Sequence, residues 1–321
     1  MMSRANKILA LLLVAQLALI AYVYRPDRTT GPPAVHFFKD VAAAQVVGLA
    51  IADSNQVLAI KKENGTWRIS TEPSYPAEAK KVEALIKKLL TLTSSRLVAR
   101  TEASHGRLKV ATDDYHRKLT LTMADGKTRE MLLGTSPNYK TSHVRVAGDD
   151  NVYLAKDLAD WEASVAPEDW WENNYLDVNP ADLKSLTLVN GKGRIELSRD
   201  KENKWQAAGM PEGKTFADAA LNNFLNKACL VQLSSYLGRD HTDVEFGLDK
   251  PLADLVLVTV TGATLQLKVA AGDAKMEECI AKAGESPFYV TVHASEVKSL
   301  METTLESLLV GKAVVSEKQQ K

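Results

Sequence analysis

The chain has 321 residues, 45% of them hydrophobic and 25% charged, the balance of an ordinary globular protein, which excludes wholesale disorder. That length suits two domains better than one, because single hydrophobic cores stop growing well below it. Forty basic and forty acidic residues give a formal net charge of zero. The sequence therefore offers no net field for a polyanion, and we predict no nucleic-acid partner.

The most pronounced apolar segment lies at the N-terminus. From Ile8 to Tyr24 the chain carries no charge, and as a helix this run would extend about 26 Å, near the lower limit for spanning a bilayer. We expect residues 1–25 to be an uncleaved anchor in the lipid bilayer; a cleaved signal peptide is the alternative. A short tail inside and everything after Arg25 outside predicts a single-pass protein of a bacterial inner membrane with periplasmic or extracytoplasmic domains. Residues 26–40 are expected to form a flexible stalk.

The first folded region is predicted to be residues 41–166. Two alternating strands precede Trp67, which begins a third strand, and Pro73 follows it. An apolar stripe at i, i+3, i+4 and i+7 then predicts an amphipathic helix with lysines on its outer face. This stripe comprises Val82, Leu85, Ile86 and Leu89. A hairpin around Asp125-Gly126 and a closing helical segment from Leu158 to Val165 complete the region.

The same order of elements returns in residues 183–310. Trp205 and Pro211 correspond to Trp67 and Pro73, and the helical spacing recurs at Leu221, Phe224, Leu225 and Ala228. The period of about 137 residues greatly exceeds that of solenoid repeats. We predict an α+β fold: a tandem duplication of a domain with mainly antiparallel sheet and an amphipathic helix, preceded by one N-terminal transmembrane helix. Residues 311–321 read as a polar tail.

Residues 167–182 form an aromatic-rich junction between the two regions. Trp170, Trp171 and Tyr175 cluster there, with Trp161 just before it. Exposed, these four side chains form a candidate partner or ligand surface, because tryptophans stack on sugars and anchor protein partners. Packing between the two domains is the alternative interpretation.

One segment imitates a phosphate-binding loop. AGMPEGKT, from Ala208 to Thr215, ends in the Gly-Lys-Thr of that motif. However, Ala208 occupies the place of the first glycine, and Pro211 removes a backbone amide donor. A structural role is the better interpretation, in which Thr215 caps the following helix together with Asp218.

No other pattern predicts catalysis, a cofactor or a metal. The histidines at positions 36, 105, 116, 143, 241 and 293 have no metal-ligand spacing. The adjacent acids Asp113-Asp114, Asp149-Asp150 and Glu277-Glu278 lie in predicted turns or at strand edges, where carboxylates usually face water. Cys229 and Cys279 leave two alternatives open, a disulfide in an oxidising compartment or buried free thiols. We therefore predict that the protein is not an enzyme.

The landmarks together resemble a known bacterial family. The apolar N-terminal segment, Trp67, Pro73, the Pro76-Ala77-Glu78 helix start and EFGLDKP at Glu245–Pro251 are similar to the family called domain of unknown function 4340. In the first copy, His105-Gly106-Arg107-Leu108 replaces the central part of EFGLDKP.

The resemblance implies an accessory protein of ABC-type transporters or gliding-motility-like membrane components, without established catalytic residues. We expect a non-catalytic, membrane-anchored extracytoplasmic accessory or scaffold subunit of a membrane complex. Its expected partners are integral membrane proteins, ABC-transporter components among them. A cell-envelope module that binds a glycan or peptide through the Trp-rich junction is the alternative.

Overall fold

The computed structural model describes residues 12–20, 33–70 and 74–311. Residues 12–20 are helical with exposed side chains. In the described part of the chain, no helix combines the length and apolar character needed to cross a membrane. The rest of the predicted anchor Ile8 to Tyr24, Pro73 and residues 312–321 of the predicted tail lie outside the described residues.

The first unit, which we define as residues 33–171, is built on short antiparallel strands. These are β1 Val35–His36, β2 Val46–Ala52, β3 Val57–Glu63, β4 Thr66–Ile69, β5 Thr93–Ser94, β6 Leu97–Ala99, β7 Arg117–Met123, β8 Thr128–Leu133, β9 Thr141–Val146 and β10 Val152–Lys156. The helices are α1 Ala79–Thr91 and α2 Glu102–Leu108, with 3-10 helices at Ala43–Gln45, Asp160–Ala163 and Pro167–Trp170.

The second unit, residues 174–311, follows the same plan. Its strands are β11 Asn174–Asp177, β12 Leu183–Asn190, β13 Gly193–Arg199, β14 Trp205–Ala207, β15 Lys214–Phe216, β16 Leu230–Gln232, β17 Ser235–Gly238, β18 Ala253–Thr259, β19 Thr264–Ala271, β20 Glu278–Ala283, β21 Tyr289–His293 and β22 Leu309–Gly311. The helices are α3 Asp218–Cys229 and α4 Ala294–Glu302, with 3-10 helices at Pro180–Asp182 and Glu306–Leu308.

Each unit contains an eight-stranded sheet, and the two sheets have the same topology. The strand order is β4-β3-β2-β7-β8-β9-β10-β6 in the first and β14-β13-β12-β18-β19-β20-β21-β17 in the second. Neighbouring strands pair antiparallel throughout both sheets. The predicted mixture of helices with mainly antiparallel sheet is therefore confirmed.

One helix packs its apolar stripe on one face of each sheet. The predicted α1 residues are buried with Trp67, whose indole Nε1–H donates to Glu83 Oε1 at 3.1 Å. The predicted α3 residues are buried in the second core, but Trp205 is only half-buried, with the Arg199 guanidinium over its ring at 4.6 Å. The helical stripe is the same in both units because the sheet demands one apolar face, whereas the tryptophan environments differ.

The predicted junction is the end of one unit joined to the start of the next. The amide of Glu78 donates to the carbonyl of Trp170 at 2.8 Å, and the amide of Ala217 donates in the same way to Leu308 at 2.9 Å. In each case the amide that begins a helix is held by the 3-10 helix that closes the unit. Strand β11, in turn, pairs with β16 as β1 pairs with β5.

Part of the segment predicted as a stalk belongs to the first unit. Val35 and His36 pair with Ser94 and Thr93, and Phe38 is buried in the first core. The predicted stalk contains three prolines and several polar residues and gives no local signal for this pairing, because β1 is only two residues long.

Two smaller expectations differ from the structure. The predicted cap at Thr215 is wrong, because Thr215 pairs with Val310 in β15 and the N-cap of α3 is Ala217, without a side-chain cap. Only a 3-10 helix, Asp160–Ala163, lies where the sequence predicted a helical segment from Leu158 to Val165.

Of the two interpretations of the cysteines, the structure shows the free thiols. Cys229 and Cys279 are both buried in the second core and are not bonded to each other. Burial raises the pKa of the Cys229 thiol to about 12 and also raises the pKa of the Cys279 thiol. Both therefore stay protonated and contribute as small apolar side chains.

Candidate binding groove beside Trp161

The structure separates the four aromatic residues of the predicted surface. The side chain of Trp161 is 59% exposed and that of Trp170 only 1% exposed, while Trp171 and Tyr175 are half-buried. They occupy three different environments and do not form one continuous aromatic face.

Trp170 holds the end of the first unit together. Its Nε1–H donates to the carbonyl of Ser164 at 2.9 Å, and its own carbonyl accepts the amide of Glu78 at the start of α1. The ammonium of Lys81 lies 5.2 Å from the centre of its ring. These contacts, all within the first unit, assign Trp170 to the packing of that unit and not to packing between the two domains.

Trp171 lies in an aromatic cluster between the units. Tyr75 of the first unit stacks on Tyr236 of the second with ring centres 4.1 Å apart, and Trp171 contacts both edge-on at 5.8 and 5.4 Å. Phe288 closes the cluster at 5.4 Å from Tyr236. Burial raises the pKa of Tyr236, whose hydroxyl donates to the carbonyl of Glu172 at 3.3 Å. Aromatic edge and stacking contacts of this kind stabilise an interface beyond the apolar area that they bury.

Tyr175 joins β11 to the turn between β20 and β21. Its hydroxyl donates to the carbonyl of Phe288 at 2.5 Å and accepts the amide of Ala283 at 3.0 Å. Burial raises the pKa of this phenol. Both hydrogen-bonding functions of the hydroxyl are satisfied within the second unit, so Tyr175 offers little to a ligand.

Trp161 is the most exposed of the four residues and lines an open groove. This groove, the Trp161 groove, lies between α1 and the chain from Trp161 to Trp170 and has a volume of about 380 Å³. Ligand pockets in proteins usually measure roughly 300–1,000 Å³. Its lining consists of Lys81, Ala84, Leu85, Lys88, Trp161, Glu162, Ser164, Asp169 and Trp170.

Both cations of the Trp161 groove are already held by groups of the first unit. The ammonium of Lys88 forms an ion pair with Glu162, and that of Lys81 donates to the backbone carbonyl of Asp169. Glu162 also accepts the amide of Ala159 at 2.9 Å through its other oxygen. Since Leu85 is 5% exposed, the groove combines an apolar floor with a rim whose charges are largely compensated. Such a surface favours an apolar or aromatic group over a free ion.

The second unit has a groove at the equivalent place with different chemistry. It measures about 370 Å³, and Lys227 and Lys298 take the positions of Lys88 and Trp161. Trp161 follows the end of β10 by the same number of residues as Lys298 follows the end of β21. The lining is Asn223, Lys227, Ser295, Lys298, Ser299, Glu302, Thr303 and Ser307. The exposed aromatic side chain is therefore a property of the first unit alone.

The motif EFGLDKP and the segment AGMPEGKT, which resembles a phosphate-binding loop, both have structural roles. In EFGLDKP, Leu248 is fully buried against Ala270, Ile280 and Tyr289. These three side chains lie on the sheet face opposite α3, because Val269 and Ala281 beside them in the strands point into the main core. The loop AGMPEGKT ends in β15.

The sequence predicts Trp161 as part of a candidate binding surface, but it does not predict the groove around this residue. The sequence predicts lysines on the outer face of α1, but it does not indicate that Lys81 and Lys88 line a groove. The groove arises from their contacts with residues 74 to 88 positions away, which no local pattern encodes. Within residues 12–20, 33–70 and 74–311, the histidines, cysteines and acids include no group of three or more placed to hold a metal ion.

In comparison with known protein families, a family model matches this chain. The model of a family described as Domain of unknown function (DUF4340) matches residues 67–251, which is more than half of the chain. The match begins at Trp67 and ends at Pro251, two of the landmarks from which the resemblance was predicted, and it includes the whole Trp161 groove. Neither a curated protein nor a solved structure matches the chain.

Proposed function

The chain belongs to the family Domain of unknown function (DUF4340), and we propose that it is a non-catalytic accessory or scaffold subunit of a membrane complex. In this proposal the segment Ile8 to Tyr24 anchors it in a bacterial inner membrane, and both units lie on the extracytoplasmic side. An ABC-type transport system is the complex that the sequence resemblance favours. The uncharged N-terminal segment and the two sheet units that follow it support this arrangement.

We also propose that the two units arose by tandem duplication. Their identical strand order, the matching hydrogen bonds to Trp170 and Leu308, and the equivalent grooves all support this origin. After a duplication, one copy can retain the structural role while the other copy acquires a binding surface. The asymmetry between Trp161 and Lys298 fits that division.

The observation that carries the proposal is the 59% exposure of Trp161 beside a neutralised, apolar groove. Covering a large exposed aromatic side chain with a partner lowers the free energy, because apolar surface is removed from water. Tryptophan is also enriched among the residues that dominate the binding energy of protein interfaces. Because Lys81 and Lys88 are already held by groups of the first unit, the groove needs no additional charge from its partner. We therefore assign the groove to an apolar side chain of an integral membrane protein.

Photocrosslinking in intact cells tests this assignment. The photoreactive residue p-benzoylphenylalanine is placed at position 161 and, as a matched control, at position 298 in the equivalent groove. We expect position 161 to crosslink to an integral membrane protein and position 298 not to do so. A full-length fusion of alkaline phosphatase after Lys321, expected to be active, checks the topology in the same strain.

Two results would overturn the proposal. One is the absence of any crosslink from position 161 in a chain that is present in the membrane at normal levels. The other is equal crosslinking from positions 161 and 298, because the polar groove lacks the proposed binding surface. An inactive but stable phosphatase fusion would refute the extracytoplasmic placement.

A cell-envelope glycan is the second candidate for the same groove. The exposed indole of Trp161 borders the groove, and the flat apolar face of an indole can pack against the face of a sugar ring. Titration of soluble envelope glycan fragments distinguishes this candidate. It requires tryptophan fluorescence that changes in the natural protein and stays constant in Trp161→Phe, and a constant signal in both proteins rules it out.

A further inference from the structure

A second pocket lies next to the Trp161 groove, on the other side of Lys88. It has a volume of about 470 Å³ and lies where β1 pairs with β5. Its lining consists of Ala34, Lys88, Thr91, Leu92, Thr93, Ser94, Ser95, Arg96, Leu154, Lys156 and Asp157. We call it the β5 pocket.

Three cations and one carboxylate line the β5 pocket: Lys88, Arg96 and Lys156 against Asp157. Lys88 is shared with Glu162 of the neighbouring groove. In the described part of the chain, neither Arg96 nor Lys156 lies within ion-pair distance of a carboxylate. Two positive charges therefore face the pocket with little internal compensation, which distinguishes it from the Trp161 groove.

The backbone that carries Arg96 is fixed. Its amide donates to Oγ of Ser94 at 3.1 Å, and its carbonyl accepts the amide of Leu154 at 2.9 Å. Oγ of Ser94 is itself buried and donates to the carbonyl of Leu154 at 2.7 Å. These bonds fix the point at which the Arg96 side chain leaves the backbone, while the residue itself is exposed at the pocket.

We infer that the β5 pocket binds a phosphate group. Arginine presents a planar fork of N–H donors that matches phosphate oxygens, and lysine adds a point charge. The hydroxyl of Ser95 on the rim is a further donor of the kind found in phosphate sites. The hydroxyl of Thr91, in contrast, already donates to the carbonyl of Lys87 at 2.9 Å. The apolar walls of Leu92 and Leu154, 6% and 7% exposed, lower the local dielectric and strengthen each charged contact.

The position of the pocket points to a phospholipid headgroup as one source of this phosphate. Ala34 lines the pocket and lies close in the sequence to the apolar segment that ends at Tyr24. Ala34 follows Tyr24 by ten positions, and an extended chain of that length spans at most about 36 Å. This source rests on the proposed membrane anchor, whereas a free phosphate ester would bind without it.

The second unit supplies an internal comparison. Arg96 directly precedes β6 and Lys156 ends β10, while Ser234 directly precedes β17 and His293 ends β21. The cationic pair is therefore absent from the equivalent place, as the aromatic side chain is from the equivalent groove. The Trp161 groove and the β5 pocket, both in the first unit, share Lys88 of α1 in their linings.

Isothermal titration of the full chain in a neutral detergent tests the inference. The probes are inorganic phosphate, dihexanoyl phosphatidylglycerol and dihexanoyl phosphatidylcholine. The variant Arg96→Gln/Lys156→Gln removes the cations, and Lys192→Gln/Lys201→Gln removes two exposed lysines of the second unit as a control of equal charge. We expect the first variant to weaken phosphate-probe binding about tenfold or more, since both contacts are charge-assisted, and the control to match the natural protein.

Each outcome has a defined meaning. Tight binding of phosphatidylglycerol with weak binding of inorganic phosphate supports the headgroup, and equal binding of both supports a soluble phosphate ester. Binding that is lost equally in both variants, unchanged in both, or absent for every probe overturns the inference. The detergent assay needs no partner protein, so its failure leaves the crosslinking test of Trp161 untouched, and the converse also holds.

Discussion

Replacing Trp170 with alanine is expected to destabilise the protein far more than the same change at Trp161. Both tryptophans belong to one short segment and line one groove. Trp170 is 1% exposed and Trp161 is 59% exposed. The pair therefore tests whether burial, rather than residue type, decides the contribution of an aromatic side chain here.

The magnitude follows from the contacts. Truncating a fully buried tryptophan costs about 3–5 kcal/mol through lost apolar burial and the cavity left behind. Trp170→Ala also removes the donor to the Ser164 carbonyl and the ring beneath Lys81, so we expect the upper part of that range. Trp161→Ala should change the free energy of unfolding by about 0.5 kcal/mol or less, as is usual for exposed sites.

Urea unfolding of the full chain in neutral detergent, followed by far-ultraviolet circular dichroism, measures both variants. Circular dichroism is preferred because deleting a tryptophan alters the fluorescence signal itself. Trp170→Phe is the matched control and should fall between the natural protein and Trp170→Ala, since it keeps much of the apolar surface. Similar losses at Trp161 and Trp170, or a loss below about 1 kcal/mol for Trp170→Ala, would refute the reasoning.

Three further predictions concern buried groups. Burial holds the pKa of His143 below its usual 6.5, so the unfolded chain takes up the proton first and the free energy of unfolding should fall as the pH drops below about 6.5. The variant His143→Asn, measured by urea unfolding from pH 7.5 to 5, should reduce this slope. The thiols of Cys229 and Cys279 should react with a thiol reagent such as dithionitrobenzoate only after unfolding, because both are buried and protonated. Gly134→Ala should destabilise by about 1–3 kcal/mol, because an added Cβ would lie 1.9 Å from a facing backbone carbonyl oxygen. Gly106→Ala, whose Cβ would meet nothing within 4 Å in α2, should be neutral or stabilise by up to about 1 kcal/mol.

Each of these has a contradicting result. An unchanged pH slope in His143→Asn would mean that other groups set the acid sensitivity. Rapid labelling of either cysteine in the native protein would show that the second core opens readily. Equal stability of the two glycine variants would mean that the chain beside β8 shifts freely to admit a side chain.

The strands and the two amphipathic helices follow from local patterns. Val82, Leu85, Ile86 and Leu89 repeat with helical spacing and are buried together, because a helix on a sheet must turn one apolar stripe inward. The hairpins likewise form where turn residues interrupt alternating strands. These features need only neighbouring residues, so the sequence indicates them directly.

The role of each aromatic residue depends on contacts across long stretches of chain. Trp170 is buried because its carbonyl meets the amide of Glu78, and Trp171 is half-buried because Tyr236 reaches it from the other unit. Within the described residues, Trp161 has no comparable partner from a distant part of the chain, and its side chain is exposed. Three tryptophans in similar surroundings in the sequence thus have three environments, and none of their neighbours in the chain distinguishes them.

The sequence by itself determined that the chain contains two similar α+β regions after an apolar N-terminal segment, since periodicity and turn chemistry are local. Only the tertiary structure decided where the units meet, which tryptophan faces solvent and which cations share a pocket. Arg96 and Lys156 are distant in the sequence but line one pocket because β6 pairs with β10. Such placements depend on strand pairing and packing between distant residues, whose register no single segment specifies.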